Sequence, residues 1–293
     1  MNIFIFQDCY SGRGQKCMVG GLSSSSPISK DESLIADAQK IVEEAEKRKI
    51  SLRILGALAV RLHTLQLEKL YTSLDRLDGQ KDQFTDIDLM GYSKQTSDIY
   101  EMFKELNFVV DKHVAAYFGK VRGIWYHPQN IYHIDVFYDK LPFSHNVDFG
   151  SKPGRGRLEL DYPTITLADI VLEKTQMHQI GEKDIKDIIV LLIGHELGTS
   201  EKENVNLARI CEPLKNDWGF YYEFKTNMGK VKTFAQKYTK EGKLSEAELT
   251  NIMAKVDKIM AQVESEPKSK DWVKRAKIGT SKQWWTDVEE YER

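Results

Sequence analysis

The sequence predicts an α+β protein, and three observations carry that class. Short β-rich runs separated by turn residues fill the stretch from about 85 to 138, after two helical stretches. From Thr166 onward apolar residues recur at helical spacing. With 41% hydrophobic residues in 293, the chain has enough apolar material for one large or two modest cores. Strands followed by a run of helices describe a mixed or antiparallel sheet with flanking helices and a helical C-terminal part.

Residues 1 to 29 carry Gly12, Gly14, Gly20, Gly21 and four consecutive serines before Pro27, a composition that buries little surface, so a flexible leader is expected. Gly12-Arg13-Gly14 lacks the Gly-Lys-Ser/Thr of a phosphate loop. A helix is expected from Ser29–Asp31, with Leu34, Ile35, Ala38, Ile41, Val42 and Ala45 on one face and Lys47, Arg48 and Lys49 at its negative end. Ile50 to Leu55 reads as a buried strand ending at Gly56, and Ala57 to about Leu70 as a helix. A loop over Asp75 to Gln83 leads into a strand, Thr85 to Met90.

Ser97 opens a helix with Ile99, Met102, Phe103 and Leu106. Phe108–Val110, Ala115–Phe118, Val121–Tyr126 and Ile131–Tyr138 are the β-rich runs, with a turn at Pro128-Gln129-Asn130. The glycine-rich, basic stretch Gly150 to Arg157 suits a solvated connecting loop better than a phosphate or RNA contact, and Leu158–Leu160 reads as a strand. Two helices then carry Leu167, Ile170, Val171 and Lys174, and Ile185, Ile188, Ile189, Leu192 and Ile193. Asn204–Leu214, Trp218–Tyr238 and Ser245–Val263 are further helices, followed by a charged break and a tail whose Trp272, Trp284 and Trp285 pack back. The expected organisation is a leader (1–29), a sheet-bearing domain (30–165) and a helical domain (166–293).

Forty-two basic against 44 acidic residues give a net charge of −2, so bulk charge does not announce a nucleic-acid binder. The longest apolar run, Ile188–Ile193, is far short of the roughly 20 residues a membrane span needs, so no membrane partner is expected. Cys9, Cys17 and Cys211 make neither a disulfide framework nor a zinc set, and a reducing cytoplasm is the expected compartment. His63, His113, His133 and His145 show no ligand spacing and Gly194-His195-Glu196 does not supply one, so the histidines are expected to be structural.

The chemistry points to three acids. Asp86 and Asp88, two apart among apolar neighbours, leave the same face of a strand. Asp135, inside the apolar run Tyr132–Tyr138, adds a third charge from a neighbouring strand. Like charges that close favour a cation between them, and a hard ion such as Mg²⁺, or Mn²⁺, suits carboxylate oxygens. Gly56, at a strand-to-helix turn, lets a ligand approach the backbone where a helix N-terminus offers N–H groups to an anion.

In this order, strand, Gly56, helix, Asp86-Ile87-Asp88, then Asp135, the chain resembles the nucleotidyltransferase superfamily related to DNA polymerase β. Leu55-Gly56-Ala57-Leu58-Ala59-Val60-Arg61-Leu62-His63 with Thr85-Asp86-Ile87-Asp88-Leu89 is similar to the branch holding the AbiEii-type abortive-infection toxins. A helical lysine motif of that branch is matched by Leu167–Lys174, and a Lys/Arg-Asp motif by Lys183–Ile188, so the resemblance covers roughly residues 50 to 195. Two positions depart from it: Ala57 stands where a second glycine or a serine is usual, and Gln83 and Phe84 stand where a basic residue often precedes the acids.

The resemblance implies a nucleotidyltransferase-like fold and Mg²⁺-dependent transfer of a nucleoside monophosphate from a nucleoside triphosphate to the hydroxyl of RNA, tRNA or a small molecule. Asp86 and Asp88 would hold the metal, and Asp135 would complete a second metal position and help deprotonate the acceptor. Gly56 and Ala57 would offer backbone N–H groups to phosphate, Lys174 would meet the triphosphate, and Asp184 or Asp187 would orient Lys174 or contact base or acceptor. An antitoxin protein is an implied partner. Two other classes fit the same residues: a nucleotide-binding regulator without turnover, and a partner-binding module whose acids are incidental.

Overall fold

The structure, a computed structural model, describes residues 29–76 and 82–288. The leader expected over 1–29 lies outside them except for Ser29, as does the middle of the loop expected over Asp75–Gln83. The first helix, α1 (Lys30–Lys47), starts where its polar cap directs: the Ser29 hydroxyl accepts the Glu32 N–H and the Glu32 carboxylate accepts the Ser29 N–H in return. Its apolar face, Leu34, Ala38, Ile41, Val42 and Ala45, is buried against the sheet that follows.

That sheet is mixed and five-stranded. Strand β1 (Leu52–Ile54) leads through Gly56 into α2 (Gly56–His63), a short 3₁₀ turn and α3 (Glu68–Leu74). The single helix expected over Ala57–Leu70 is thus broken: the Thr64 hydroxyl bonds back to the Val60 carbonyl, and a new helix begins four residues on. Strand β2 (Ile87–Gly91) is followed by α4 (Thr96–Glu105), β3 (Val109–Val110), α5 (Lys112–Phe118), β4 (Arg122–Tyr126) and β5 (His133–Tyr138). The strand order is β1-β2-β5-β4-β3; β2 and β5 run parallel and every other neighbouring pair is antiparallel.

Residues Ala115–Phe118, expected as a β run, belong to α5, because the Asp111 carboxylate caps a helix by accepting the His113 and Val114 N–H groups. Leu158–Leu160 forms no strand either; it lies in a string of turns that follows the hairpin of β6 (Lys140–Pro142) and β7 (Asn146–Asp148).

The helical part begins with α6 (Leu167–Thr175) and α7 (Glu182–Gly194). Next comes a small parallel pair, β8 (Glu196–Gly198) and β9 (Asn204–Asn206), so helix α8 (Leu207–Leu214) starts three residues later than expected. Two long helices, α9 (Trp218–Lys240) and α10 (Glu246–Ser265), pack on α7 and α8, and α11 (Lys270–Ile278) packs on α9. The tail does return: Trp284 Nε1 donates to Glu223, and its ring meets Trp218 and Tyr222 edge-on. One continuous buried cluster takes residues from α1, the sheet and α6 to α10. No helix among the described residues is long and apolar enough to cross a membrane.

Candidate active site

The parallel pairing of β2 with β5 sets Asp88 directly beside Asp135, so both side chains leave the same face. Asp86, two residues before Asp88, falls just ahead of the strand rather than in it, and its side chain is 40% exposed. Asp88 carries the strain of this arrangement. Burial first, then the charges of Asp86, Asp135 and Glu173, hold its carboxyl well above the usual carboxylate range. Asp135 is compensated: Arg122 clamps both its oxygens, Nε at 2.7 Å from Oδ1 and one terminal nitrogen on Oδ2. The clamp follows from register, since Ile124 lies opposite Asp135 and Arg122, two residues away, shares its face.

Gly56 is required where it stands. Its φ is +70°, and a Cβ there would sit 2.7 Å from Asp88 Oδ2. The Leu55 N–H donates to the Asp88 carbonyl at 3.0 Å, which fixes the start of α2 against the acid-bearing strand. The Gly56 N–H, the first donor of that helix, is given to Glu173 Oε2 at 3.2 Å.

Helix α6 explains the other charges. All nine of its residues are buried, so each ionised group on it needs a partner. Asp169 meets Arg157 at 2.9 Å and Arg209 at 2.7 Å. Lys174 meets Asp184 at 2.8 Å and Asp187 at 3.1 Å, and Asp187 also takes Arg76 at 3.0 Å. Burial alone would depress the Lys174 ammonium, but Asp184, Asp187 and Glu173 outweigh it and raise it. Glu173 has only the Gly56 N–H and nearby Lys174 against its own burial, and its carboxyl is pushed up to about 7.

These groups enclose a cavity of about 360 Å³ lined by Gly56, Ala57, Asp86 and Asp88 on the sheet side and by Glu173, Lys174 and Asp184 on the helical side. Arg76 and the exposed Lys183 also line it, with apolar contributions from Phe84, Phe143 and Met177. Of the residues singled out from sequence, Gly56, Ala57, Asp86, Asp88, Lys174 and Asp184 line this cavity; Asp187, the counter-ion of Lys174 and Arg76, and Asp135, beside Asp88 on the neighbouring strand, do not.

The Asp86–Asp88 pair suits Mg²⁺ or Mn²⁺: hard oxygens, a costly like-charge pair, and no Cβ to crowd Asp88 Oδ2. The third acid is held short of them. Asp86, Asp88 and Asp135 do not bring one oxygen each within 4.8 Å of one another, and Arg122 occupies the Asp135 oxygens.

Sequence reasoning missed Arg76 and Arg122 and gave no role at the site to Glu173 and Lys183, although both lie in the two matched helical motifs. Glu173 lies 117 residues from its Gly56 partner, so no local spacing announces it. Arg122 was within reach, because it and Asp135 lie 13 residues apart on two expected strands that meet around one turn. The basic loop is partly spent internally, since Arg157 is paired with Asp169 and Glu201.

No family model and no curated protein matches this chain. Among solved structures it is similar to an antigenic nucleotidyltransferase-like protein from Paracoccidioides brasiliensis, with a TM-score of 0.38 and 14% identity over 84% of this chain and 98% of that one. A likeness at that level carries neither fold nor function across.

Proposed function

We propose that this chain is a Mg²⁺-dependent nucleotidyltransferase that moves a nucleoside monophosphate from a nucleoside triphosphate to an acceptor hydroxyl of RNA, tRNA or a small molecule. The observation that carries the reading is geometric: Asp86 and Asp88 line one wall of a cavity beside the side-chain-free Gly56, with Lys174, Lys183 and Arg76 among the residues lining the rest of it. Asp86 and Asp88 would hold the ion, which when bound supplies charge stabilisation at the phosphate undergoing attack. Lys183, exposed at the rim, offers a point charge to phosphate oxygens. Lys174 acts through its pairs with Asp184 and Asp187, which hold its ammonium at the cavity wall.

A second reading, nucleotide binding without turnover, is favoured by the Arg122 clamp. Asp135 can serve as a base or metal ligand only when Arg122 leaves its oxygens. Ala57 points the same way, since it brings no hydroxyl to the phosphates.

The two readings part in one experiment. Nucleoside triphosphates labelled at the α-phosphate are incubated with the protein, Mg²⁺ and total RNA or small-molecule acceptors. Label transfer that vanishes in Asp88→Asn and Asp86→Ala is the expected result; metal-dependent binding without transfer selects the second reading, and neither binding nor transfer removes both. For the toxin role that the resemblance implies, growth arrest on expression, relieved by the same substitutions, is the corresponding result.

A further inference from the structure

A second polar cluster lies at the opposite end of α2 from Gly56. His63 ends that helix, His195 follows the last residue of α7, and Glu203 directly precedes β9. The parallel register of β8 and β9 pairs Glu196 with Asn204, which sets the preceding residues, His195 and Glu203, side by side. The backbone therefore assembles the cluster from three separate places. Both imidazoles are buried, whereas the Glu203 side chain is exposed and its backbone sits at φ +55°, in the left-handed region.

The hydrogen bonds decide what the cluster presents. His195 Nε2 lies 2.9 Å from the His63 carbonyl oxygen, which can only accept, so Nε2 carries the proton and the Nδ1 of neutral His195 is a bare lone pair. That Nδ1 faces Glu203 Oε2 at 3.5 Å. His63 Nε2 is bound to the Thr164 hydroxyl at 2.6 Å, and its Nδ1 faces Glu203 Oε1 at 3.6 Å. Both nitrogen–oxygen distances exceed the 2.7–3.2 Å typical of hydrogen bonds. They are slightly longer than the edge of a tetrahedron around Zn²⁺, about 3.3–3.4 Å for metal–ligand bonds of roughly 2.0–2.1 Å, and they run to the two different oxygens of the Glu203 carboxylate, one of which would draw in between the imidazoles. One donor atom from each of the three residues lies within 4.8 Å of the other two. The outer nitrogens are also held as metal-bound histidines usually are, one on a backbone carbonyl and one on a hydroxyl.

We infer that His63, His195 and Glu203 form a Zn²⁺ site, with water in the fourth position, that ties the end of α2 to the end of α7 and the loop before β9. Imidazole and carboxylate are borderline and hard donors that Zn²⁺ takes readily, and the missing thiolates leave the site free of redox chemistry. The inference is independent of the nucleotidyl-transfer reading, because Asp86 and Asp88 take no part in it.

Full-length protein stripped with EDTA and titrated with Zn²⁺ by calorimetry is expected to take up one equivalent. Co²⁺ in its place is expected to show the visible absorption of a four-coordinate ion. At a hundredfold excess over its Kd, Zn²⁺ is expected to raise the unfolding midpoint by roughly 4–8 °C. Glu203→Gln changes an exposed side chain, leaves the core intact and is expected to weaken Zn²⁺ binding at least about tenfold, while His195→Gln abolishes it. Asp88→Asn is expected to leave it unchanged. Absence of saturable uptake, equal uptake by the Glu203→Gln and His195→Gln variants, or loss of uptake in Asp88→Asn would each overturn the site.

Discussion

Two carboxylates, the buried Asp187 and the partly buried Asp88, live under opposite conditions. Asp187 sits between two cations, Lys174 at 3.1 Å and Arg76 at 3.0 Å, and is fully buried. Asp88 sits among acids, with Asp86, Asp135 and Glu173 all pushing its carboxyl up. A charge surrounded by partners holds a fold together, whereas a charge surrounded by like charges is tolerated only when a ligand will offset it. The wall behind the cavity is in this sense internally paired, and the floor at β2 is where the proposed cation would sit.

Substitutions can break that contrast, and the largest effect is expected at Asp187. Asp187→Ala leaves Arg76 and Lys174 buried with fewer counter-charges and should cost about 3–5 kcal/mol in denaturant unfolding. A loss below about 1 kcal/mol would mean that this network is not structural.

Glu173 stands between the two conditions and should show in the pH dependence of stability. Its folded pKa of about 7 lies above the ordinary 4.5, so the folded state binds more protons between those values and stability falls as pH rises through that window. Glu173→Gln should remove the fall, gaining on the order of 3 kcal/mol relative to wild type between pH 4.5 and 8. Parallel pH profiles of the two proteins would show that Glu173 is not the responsible group.

Gly56→Ala meets both a φ of +70° and Asp88 Oδ2, and should cost about 1–3 kcal/mol while displacing the acid. Asp88→Asn, by contrast, removes a charge the fold resists. In metal-free buffer it should be neutral or stabilising by up to about 1 kcal/mol, read as an unchanged or raised midpoint. A clearly destabilised variant would place Asp88 with Asp187 among the structural charges.

What the sequence made legible follows the range of the interaction. Ser29, Asp31 and the Leu34–Ala45 face announce α1 because cap and periodicity are local, and Asp88 is legible because its apolar neighbours mark a strand, whereas Asp86, expected in that strand, falls just ahead of it. Lys174 and Asp184, ten residues apart on adjoining helices, came from a family resemblance and do meet. Ala115–Phe118 reads from sequence as a short β run, yet one side chain at Asp111 decides for helix, with Tyr117 left exposed.

Long-range pairings were not legible. Glu173 on the Gly56 N–H and His195 on the His63 carbonyl depend on how α6 and α7 pack beside α2, which no spacing encodes. The histidines, expected to be structural one by one, acquire a common point only through the β8–β9 register.

The most direct measurement of the central claim is calorimetric binding of a nucleoside triphosphate to wild type and Asp88→Asn, each with Mg²⁺ and with EDTA. If Asp86 and Asp88 hold the cation that seats the triphosphate, wild type should bind with Mg²⁺ and lose at least about tenfold in affinity in EDTA, and Asp88→Asn should bind weakly in both. Equal binding by the two proteins, or wild-type binding that ignores the metal, would contradict the account.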